Sequence, residues 1–304
     1  MRIGLIDIDN TGFPTLTLMK LSAWHKARGD TVELLKPADV LGGVLFGGWD
    51  KLYASCIFDK NRYIAEAIAH ETGAEIGGSA WEMAKKLPYK IEHIRPDYSL
   101  YGVSDTAYGF LTRGCPRQCP FCIVAGKEGG QSVKAADLRE WWHGQKFIKL
   151  LDPNILACED SLELLEQLAD SKTWIDFTQG VDARLLNEKN LDLLSRIKTK
   201  MIHFAWDNPR DKTVPEALLK YREAKGGKLD YRKNAVYVLT NYWSTFEQDL
   251  ERVYWLREHD FDPYVMIYGK ENAPHNIRML QRWVNNKIVF RTVERFEDYD
   301  RRKG

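Results

Sequence analysis

Residues 106–122, TAYGFLTRGCPRQCPFC, are the stretch that determines how this sequence is expected to fold. The run 106–113 contains aromatic and β-branched residues and predicts a strand. Cys115, Cys119 and Cys122 follow at once, so three thiols lie on one short loop behind that strand. Parallel α/β folds place their functional groups in the loops at the carboxyl ends of the strands. The sequence therefore predicts a functional loop at this point.

The three clustered cysteines are suited to an iron–sulfur cluster. A [4Fe–4S] cluster has four irons, so three thiolates would leave one iron open to another ligand. A structural zinc site needs four ligands, and the spacing of neither His143 nor Cys158 favours it as the fourth. A redox dithiol would use one C-x2-C pair and leave Cys115 unexplained. A chance grouping of cysteines is the remaining alternative, and we prefer the iron–sulfur interpretation.

Strand and helix patterns alternate along the chain and predict an α/β fold. Residues 1–87 predict a small Rossmann-like unit, and residues 88–104, which contain two prolines, predict a linker or strap. Residues 105–286 repeat the alternation six times, which is too few for a closed (β/α)8 barrel and predicts a partial (β/α)6 barrel. Residues 287–304 predict a tail with one short strand.

The expected elements can be given individually from the hydrophobic periods and the capping residues. The predicted strands are 2–8, 31–35, 51–58, 74–77, 106–113, 147–152, 174–178, 201–207, 235–241 and 264–268. The predicted helices are 15–28, 61–71, 135–142, 161–171, 187–198, 214–225, 245–258 and 275–285. Ser161, Asn187 and Thr245 are the predicted helix caps.

Composition excludes several classes of protein. The 304 residues carry 44 basic and 43 acidic side chains, which predicts no stable binding to nucleic acid and no attraction to a membrane surface. No apolar run approaches the roughly 20 residues that span a bilayer. Five cysteines are too few for a disulfide scaffold, and we expect a protein of the reducing cytoplasm. Cys56 and Cys158, outside the loop, are expected to be buried thiols.

The C-x3-C-x2-C spacing, with Phe121 just before the last cysteine, resembles the radical S-adenosylmethionine (radical SAM) superfamily across residues 105–286. The resemblance implies that Cys115, Cys119 and Cys122 bind a [4Fe–4S] cluster whose free iron is chelated by SAM. It also implies a 5′-deoxyadenosyl radical that takes hydrogen from the substrate, with Phe121 near the adenine. A reductant such as flavodoxin or ferredoxin would supply the electron.

The resemblance assigns SAM contacts to the predicted strand ends. Many members carry a Gly-Gly-Glu motif after the second strand; here Asp152 and Asn154 stand near that place, either as its replacement or as a local turn. Gln179 and Asp182 would bind the ribose hydroxyls. Arg184 would bind the SAM carboxylate, or would form an ion pair with Asp182 or Glu188. The further candidates are Asn241 and Tyr268 for SAM, and Trp206, Asp207 and Tyr242 for the substrate. For each aromatic taken alone, packing in the core or in a loop is the alternative.

The N-terminal unit resembles the domain that precedes the barrel in cobalamin-binding radical SAM enzymes. Those domains carry a cobalt-binding histidine in the loop after their first strand, and residues 7–14 contain none. The sequence therefore predicts no cobalamin and, in the absence of G-x-G-x-x-G, no dinucleotide site. We expect a lid whose Asp9, Asn10 and Phe58 face the barrel mouth; the alternative is that Asp9 and Asn10 cap helix 15–28.

Residues 2–20 and 295–299 also resemble short radical SAM proteins of gut bacteria and phages. That group includes lyases that release queuine from queuosine or its 5′-nucleotide. The resemblance implies a small modified nucleoside or nucleotide as substrate, held by aromatic rings and by acids that accept ring N–H groups. The alternatives are radical modification of RNA or of a peptide, and a non-catalytic iron–sulfur or metal-binding protein.

Overall fold

The computed structural model describes residues 1–42 and 48–300, and these form an α/β structure with two parallel sheets and a two-stranded antiparallel ribbon. The strands are β1 (Arg2–Asp7), β2 (Thr31–Leu35), β3 (Lys51–Ser55), β4 (Glu75–Gly77), β5 (Thr106–Gly109), β6 (Thr112–Arg113), β7 (Val133–Lys134), β8 (Phe147–Leu150), β9 (Trp174–Val181), β10 (Thr199–Ala205), β11 (Asn234–Thr240) and β12 (Asp262–Ile267). The helices are α1 (Leu16–Lys26), α2 (Arg62–Thr72), α3 (Tyr89–Glu92), α4 (Val124–Glu128), α5 (Ser161–Asp170), α6 (Glu188–Arg196), α7 (Thr213–Ala224), α8 (Phe246–Glu258), α9 (His275–Asn285) and α10 (Lys287–Thr292).

The N-terminal sheet has four parallel strands in the order β2-β1-β3-β4. Its central strand β1 is buried from Ile3 onward because it pairs with a strand on each side. In this order the chain moves from β1 to β2 on one side and then from β3 to β4 on the other, so the direction of winding reverses between β1 and β3, as in doubly wound folds of the order 2-1-3-4-5. Parallel pairing and the two predicted helices are confirmed here, while the Rossmann-like classification remains a prediction. Residues 43–47 of the predicted unit lie outside the described residues.

The second sheet has six parallel strands in the order β12-β11-β10-β9-β8-β5, so each strand pairs with its predecessor in the repeat. Alternate side chains of its strands are buried and join one apolar core with helices α5 to α8; they include Ile148, Ile175, Phe177 and Phe204. Sequential order with helices packed on one face is the arrangement that a partial (β/α)6 barrel requires. Its closure into that shape remains a prediction.

Residues 88–104 lie across the junction between the two sheets. The Tyr98 hydroxyl accepts from the Tyr108 N–H at 3.2 Å, on the unpaired edge of β5. Tyr101 donates its hydroxyl hydrogen to the Asp7 carboxylate at the end of β1, at 2.8 Å. One segment therefore contacts the edge of the larger sheet and the end of the smaller one. Among the described residues, no helix has the length and apolarity to cross a membrane.

Two predicted elements next to the cysteine loop and one predicted helix cap are wrong in detail. The predicted strand 106–113 is broken into β5 and β6, because a buried carboxylate takes the backbone N–H groups at the break, as described below. The predicted helix 135–142 is reduced to a short 3-10 turn at Leu138–Glu140. The Leu138 N–H bonds the Gln167 side chain, and the Trp141 ring packs on Gly109, so tertiary contacts replace helical ones. Ser161 lies inside α5, which is preceded by Asp160.

The predicted C-terminal strand is also wrong, because residues 287–292 form helix α10. The β-branched residues there favour a strand locally. The Asn286 side chain accepts from the Val289 N–H and starts the helix, and the Phe290 ring packs 4.9 Å from that of Trp283. Packing therefore outweighs local propensity. The last four residues of the predicted tail, 301–304, lie outside the described residues.

Candidate metal centre

The cysteine loop connects β6 to α4 and folds back on itself. Gly114 has a φ of +84°, and a Cβ there would lie 2.0 Å from the Gln131 carbonyl oxygen, so only glycine allows this close approach. The Cys115 N–H then donates to the Gly129 carbonyl at 3.1 Å, and the Cys122 N–H donates to Cys119 at 2.9 Å. The backbone therefore holds the loop closed before any metal binds.

The three thiols of this loop are free and lie partly or fully open to solvent. Cys115 and Cys119 are half-buried and Cys122 is exposed, whereas Cys56 and Cys158 are buried, as expected. Burial raises the pKa of the Cys119 thiol, and the nearby charges of Asp207, Cys122 and Cys115 act in the same direction. Coordination to a cationic iron would favour the thiolate form of Cys119 against these effects.

The described residues contain no group of three or more His, Cys, Asp or Glu side chains placed as ligands of a single metal ion. The zinc alternative requires such a group, with four ligands on one ion. A [4Fe–4S] cluster needs only three protein thiolates, each on a different iron. Among the described residues no fourth ligand completes a zinc site, and Cys158 is buried beside Asp160 instead of joining the loop.

Asn154 lies directly against the cysteine loop. It is buried, with 3% of its surface exposed, and its Nδ2 lies 3.5 Å from the Cys115 sulfur and 3.4 Å from Asp182 Oδ2. Its Oδ1 atom is buried and has no hydrogen-bond partner among the described residues. A buried amide oxygen without a partner is costly, so this atom is suited to accept a hydrogen bond from a ligand. A ligand ammonium would supply that hydrogen bond.

Asp152 does not share this role, because its carboxylate is already engaged. It accepts from the Leu111 N–H at 2.9 Å, from the Thr112 N–H at 2.5 Å and from the Thr112 hydroxyl at 2.6 Å. Burial raises the pKa of Asp152 to about 7, against the effect of these hydrogen bonds. The carboxylate fixes the start of β6, immediately before the cysteine loop, so the structure gives it a positioning role.

Asp182 is the centre of a charged group at the end of β9. Its carboxylate accepts from Arg184 Nε at 2.7 Å and from Arg117 Nε at 2.7 Å, and Arg184 also lies 3.6 Å from Asp211. Burial acts against ionisation, but hydrogen bonds from the two guanidinium groups keep the pKa of Asp182 below its ordinary value. The ion pair expected as the alternative for Arg184 therefore forms with Asp182. Arg117 was missed, although it lies inside the cysteine motif.

Asp207 lies near the same group, at the end of β10. Burial raises the pKa of Asp207 to about 6, while Arg184 and Arg252 act in the opposite direction. The backbone of this strand end is fixed by Arg252, which is buried and donates to the carbonyl oxygens of Trp206, Asp207 and Leu239. The side chain of Asp207 is thus available near Cys119 on a rigidly held backbone.

Trp206 does not line the site as a substrate residue, and the alternative of core packing holds for it. Its side chain is only 5% exposed, its Nε1 donates to the Asn208 carbonyl at 3.1 Å, and its ring packs edge-on against Trp255. The alternation of a strand places Trp206 on the helix-covered side of the sheet, opposite to a ligand. It is a core residue.

Aromatic side chains form a corner next to the cysteine loop. The Phe121 ring lies 5.5 Å from the rings of Tyr242 and Trp243, and Tyr242 lies 4.7 Å from Tyr268. Asn241, with a φ of +61°, donates from Nδ2 to the Tyr268 carbonyl at 2.8 Å and joins the two loops. This aromatic corner offers faces and edges against which a planar ring can pack. Trp243 was missed, and its place one residue after Tyr242 was the available signal.

Four further candidates, Gln179, Asp9, Asn10 and Phe58, have other surroundings. Gln179 is exposed near the end of β9. Asp9 accepts from the Ile57 N–H at 2.6 Å and from Asn61 Nδ2 at 2.8 Å, which ties the loops after β1 and β3 together. Neither Asp9 nor the exposed Asn10 caps α1, which begins after Thr15, so that alternative is wrong. Phe58 is 47% exposed.

The N-terminal unit nevertheless reaches the larger sheet. Lys127 on α4 donates from Nζ to the Ser79 hydroxyl at 2.8 Å, and the Phe13 ring lies 4.9 Å from Lys149 Nζ on β8. A separate cavity of about 650 Å³ lies between α1, residues 88–96 and the edge of β5. Its walls include Arg113 but none of the cysteines of the described chain, so it is distinct from the candidate metal centre.

Comparison with known proteins gives partial likenesses. No protein-family model matches the chain. A CDK5RAP1-like protein of Oryza sativa subsp. japonica is 30% identical over 146 residues, covering 42% of this chain and 24% of that protein. The chain therefore spans about a quarter of the length of this curated relative.

Among solved structures, Streptococcus suis SuiB bound to S-adenosylmethionine is similar over 62% of this chain and 48% of its own, with 16% identity and a TM-score of 0.43. SuiB bound to its precursor peptide SuiA is similar over 62% and 47%, with 15% identity and a TM-score of 0.44. Likeness at this level carries no argument about fold or function. The comparisons thus leave the candidate metal centre to be interpreted from its own residues.

Proposed function

We propose that this chain is a radical SAM enzyme in which Cys115, Cys119 and Cys122 bind a [4Fe–4S] cluster. The observation that carries the proposal is the three free thiols on one closed loop at the carboxyl edge of a parallel sheet. The Asn154 side chain supports it: Nδ2 lies beside Cys115, and Oδ1 has no hydrogen-bond partner within the described part of the chain, so this amide could hold a ligand at an open coordination site. When bound, the cluster would supply the electron that cleaves SAM to methionine and a 5′-deoxyadenosyl radical, which takes hydrogen from the substrate.

Different side chains of the site would bind the ammonium, the carboxylate and the adenine of SAM. Asn154 Oδ1 would accept from the SAM ammonium, and the guanidinium groups of Arg117 and Arg184, held by Asp182, would face its carboxylate. The aromatic corner around Phe121 would pack against the adenine. Each of these groups is fixed by contacts that exist without ligand, which lowers the entropy cost of holding a reactive cofactor in place.

We propose queuosine or queuosine 5′-phosphate as the substrate, with cleavage of the glycosidic bond and release of queuine. The sequence resemblance suggests this lyase activity, and two features of the site support a nucleoside. The Tyr242 ring, 5.5 Å from the Phe121 ring that would contact the adenine of SAM, offers a second packing surface for the base of the substrate. Asp207, on its fixed backbone, offers a carboxylate that can accept hydrogen bonds from hydroxyl or amino groups of the nucleoside.

The cluster ligands are tested by anaerobic reconstitution with iron and sulfide. Cys115→Ala, Cys119→Ala and Cys122→Ala should each lose most of the bound iron and the visible absorption of the cluster. Cys158→Ala is the matched control, because that thiol is buried outside the loop, and it should retain the cluster. Full cluster content in Cys119→Ala would refute the ligand assignment.

The reaction is tested with the reconstituted protein, dithionite and SAM, in the presence and absence of queuosine 5′-phosphate. We expect 5′-deoxyadenosine in both samples, more of it with the nucleotide, and queuine only with the nucleotide. Formation of 5′-deoxyadenosine without queuine would point to another substrate, such as RNA or a peptide. A fully loaded protein that forms no 5′-deoxyadenosine would favour the non-catalytic alternative and exclude the enzyme.

A further inference from the structure

The six-stranded sheet has an unusual second face. Parallel sheets are normally buried on both faces, and their strands are apolar throughout. Here one face packs under the helices, while the other carries polar or charged half-buried side chains from five neighbouring strands. They are Tyr108, Lys149, Asp176, His203 and Tyr237. None of them belongs to the candidate metal centre, and the cost of burying such groups calls for a compensating role.

Lys149 and Asp176 stand side by side on this polar face. They are register partners on β8 and β9. They do not form an ion pair with each other; Lys149 Nζ instead lies 4.9 Å from the Phe13 ring and 5.8 Å from the Tyr108 ring. Asp176 Oδ1 is buried and has no hydrogen-bond partner among the described residues. The pair thus offers an ammonium and a carboxylate whose hydrogen-bonding capacity is largely unused.

The neighbours of the pair are held in place by the sheet. His203 Nδ1 lies 2.8 Å from the Phe177 carbonyl oxygen, which can only accept, so Nδ1 donates this hydrogen bond and fixes the ring. Its ring stacks on Tyr237 at 5.0 Å and 10°, and the Tyr237 hydroxyl donates to the Thr178 carbonyl at 3.0 Å. A rigid wall therefore adjoins Asp176.

We propose that Asp176 and Lys149 are specificity residues that recognise the edge of a guanine-type base in the substrate. A carboxylate accepts from two adjacent N–H groups, and an ammonium beside it donates to a carbonyl; guanine and 7-deazaguanine present that sequence of groups on one edge. An adenine-type base presents an amino donor beside a ring nitrogen acceptor, which leaves the carboxylate without a second donor. This inference rests on the proposed function and deepens it by naming the two residues that select the base.

The inference is tested by binding alone, without SAM or reductant. The full-length protein is titrated calorimetrically with 7-deazaguanine and with 7-deazaadenine. We expect at least a tenfold preference for 7-deazaguanine, because one buried carboxylate hydrogen bond left unmade costs about that much affinity. Asp176→Asn and Lys149→Met should each weaken 7-deazaguanine binding at least tenfold and leave 7-deazaadenine binding nearly unchanged. The matched controls are Asp192→Asn and Lys189→Met, on the exposed surface of α6.

Equal affinities for the two bases, no binding of either, or undiminished binding by Asp176→Asn would overturn the inference. Circular dichroism and the thermal midpoint of each variant establish that it is folded, and Asp176→Asn preserves the side-chain volume. A different result refutes the proposed function, namely the absence of 5′-deoxyadenosine from the cluster-loaded protein. A preference for 7-deazaguanine without SAM cleavage would therefore refute the enzyme activity and support the recognition pair. SAM cleavage without a base preference would support the enzyme activity and refute the recognition pair.

Discussion

Asp152 should be a structural support of the cysteine loop, and the substitution Asp152→Asn tests this. The carboxylate accepts three hydrogen bonds from Leu111 and Thr112, residues about forty positions away in the chain. Asparagine has the same shape, but its amide nitrogen cannot accept. With the amide oxygen toward Thr112, the amide nitrogen would meet the Leu111 N–H, so one buried donor loses its partner and faces another donor.

The expected cost follows from that single mismatch. An unsatisfied buried donor costs about 1–3 kcal/mol, so Asp152→Asn should lower the free energy of unfolding by about 2 kcal/mol. Thr112→Val removes only the hydroxyl hydrogen bond and should cost about 1 kcal/mol. Asp170→Asn, on the exposed end of α5, is the control and should change stability by less than about 0.5 kcal/mol.

The assay is urea unfolding at pH 8, where the carboxylate is ionised because its pKa is about 7. Iron content after reconstitution is measured in parallel, and we expect it to fall in Asp152→Asn because β6 leads directly into the cysteine loop. The reasoning is wrong if Asp152→Asn is as stable as Asp170→Asn. It is equally wrong if the stability of Asp152→Asn falls while its loop binds a full cluster with unchanged affinity. Asp152 would then stabilise the fold without positioning the cysteine loop.

Three further results are expected. Gly114→Ala should lower the free energy of unfolding in urea by at least about 2 kcal/mol more than Gly129→Ala does. Both glycines have a positive φ, but only a Cβ at residue 114 meets a backbone carbonyl, and equal losses would contradict this. Arg252→Met should cost about 3–5 kcal/mol, because it leaves the buried Asp249 carboxylate and three carbonyl oxygens without their donor. Adding Asp249→Leu should recover the part of this cost that is due to the carboxylate, and no recovery would count against the buried pair. Burial raises the pKa of Asp207 to about 6, so between about pH 4 and pH 6 its carboxyl should lower the stability of the cluster-free protein by up to about 1.4 kcal/mol per pH unit, because the folded state keeps a proton that the unfolded state loses. Asp207→Asn should lack this contribution and keep that of Asp152, whose pKa is also raised; equal slopes in the two proteins would contradict this.

Local sequence patterns predicted the regular elements well. The strand at Thr31–Leu35 and the helix at His275–Asn285 coincide with their predicted bounds. The side chains of Asn187 and Thr245 cap their helices as expected, each accepting from an N–H three residues later. These signals act within one turn or one pleat, so the residues that cause them are neighbours in sequence.

Long-range contacts account for the errors. The break between β5 and β6 depends on Asp152, the burial of Trp206 depends on α8, and helix α10 depends on packing against Trp283. None of these partners lies within the window in which periodicity or propensity is read. The same limit explains why Arg117 and Trp243 were missed, since their roles appear only when separate strand ends meet.

The sequence by itself determined the class of fold and the position of the candidate centre. Alternation of strand and helix led to parallel sheets, and the three cysteines after one strand located the candidate centre, because both features are written in consecutive residues. The tertiary structure alone decided which polar groups remain available there. In the folded chain Asp152 accepts hydrogen bonds from Leu111 and Thr112, and Asp182 pairs with Arg117 and Arg184. Among the described residues Asn154 Oδ1 has no hydrogen-bond partner, and Lys149 lies beside Asp176 in the sheet. A hydrogen bond is satisfied or left open by groups brought together in space, and the order of residues along the chain does not specify that.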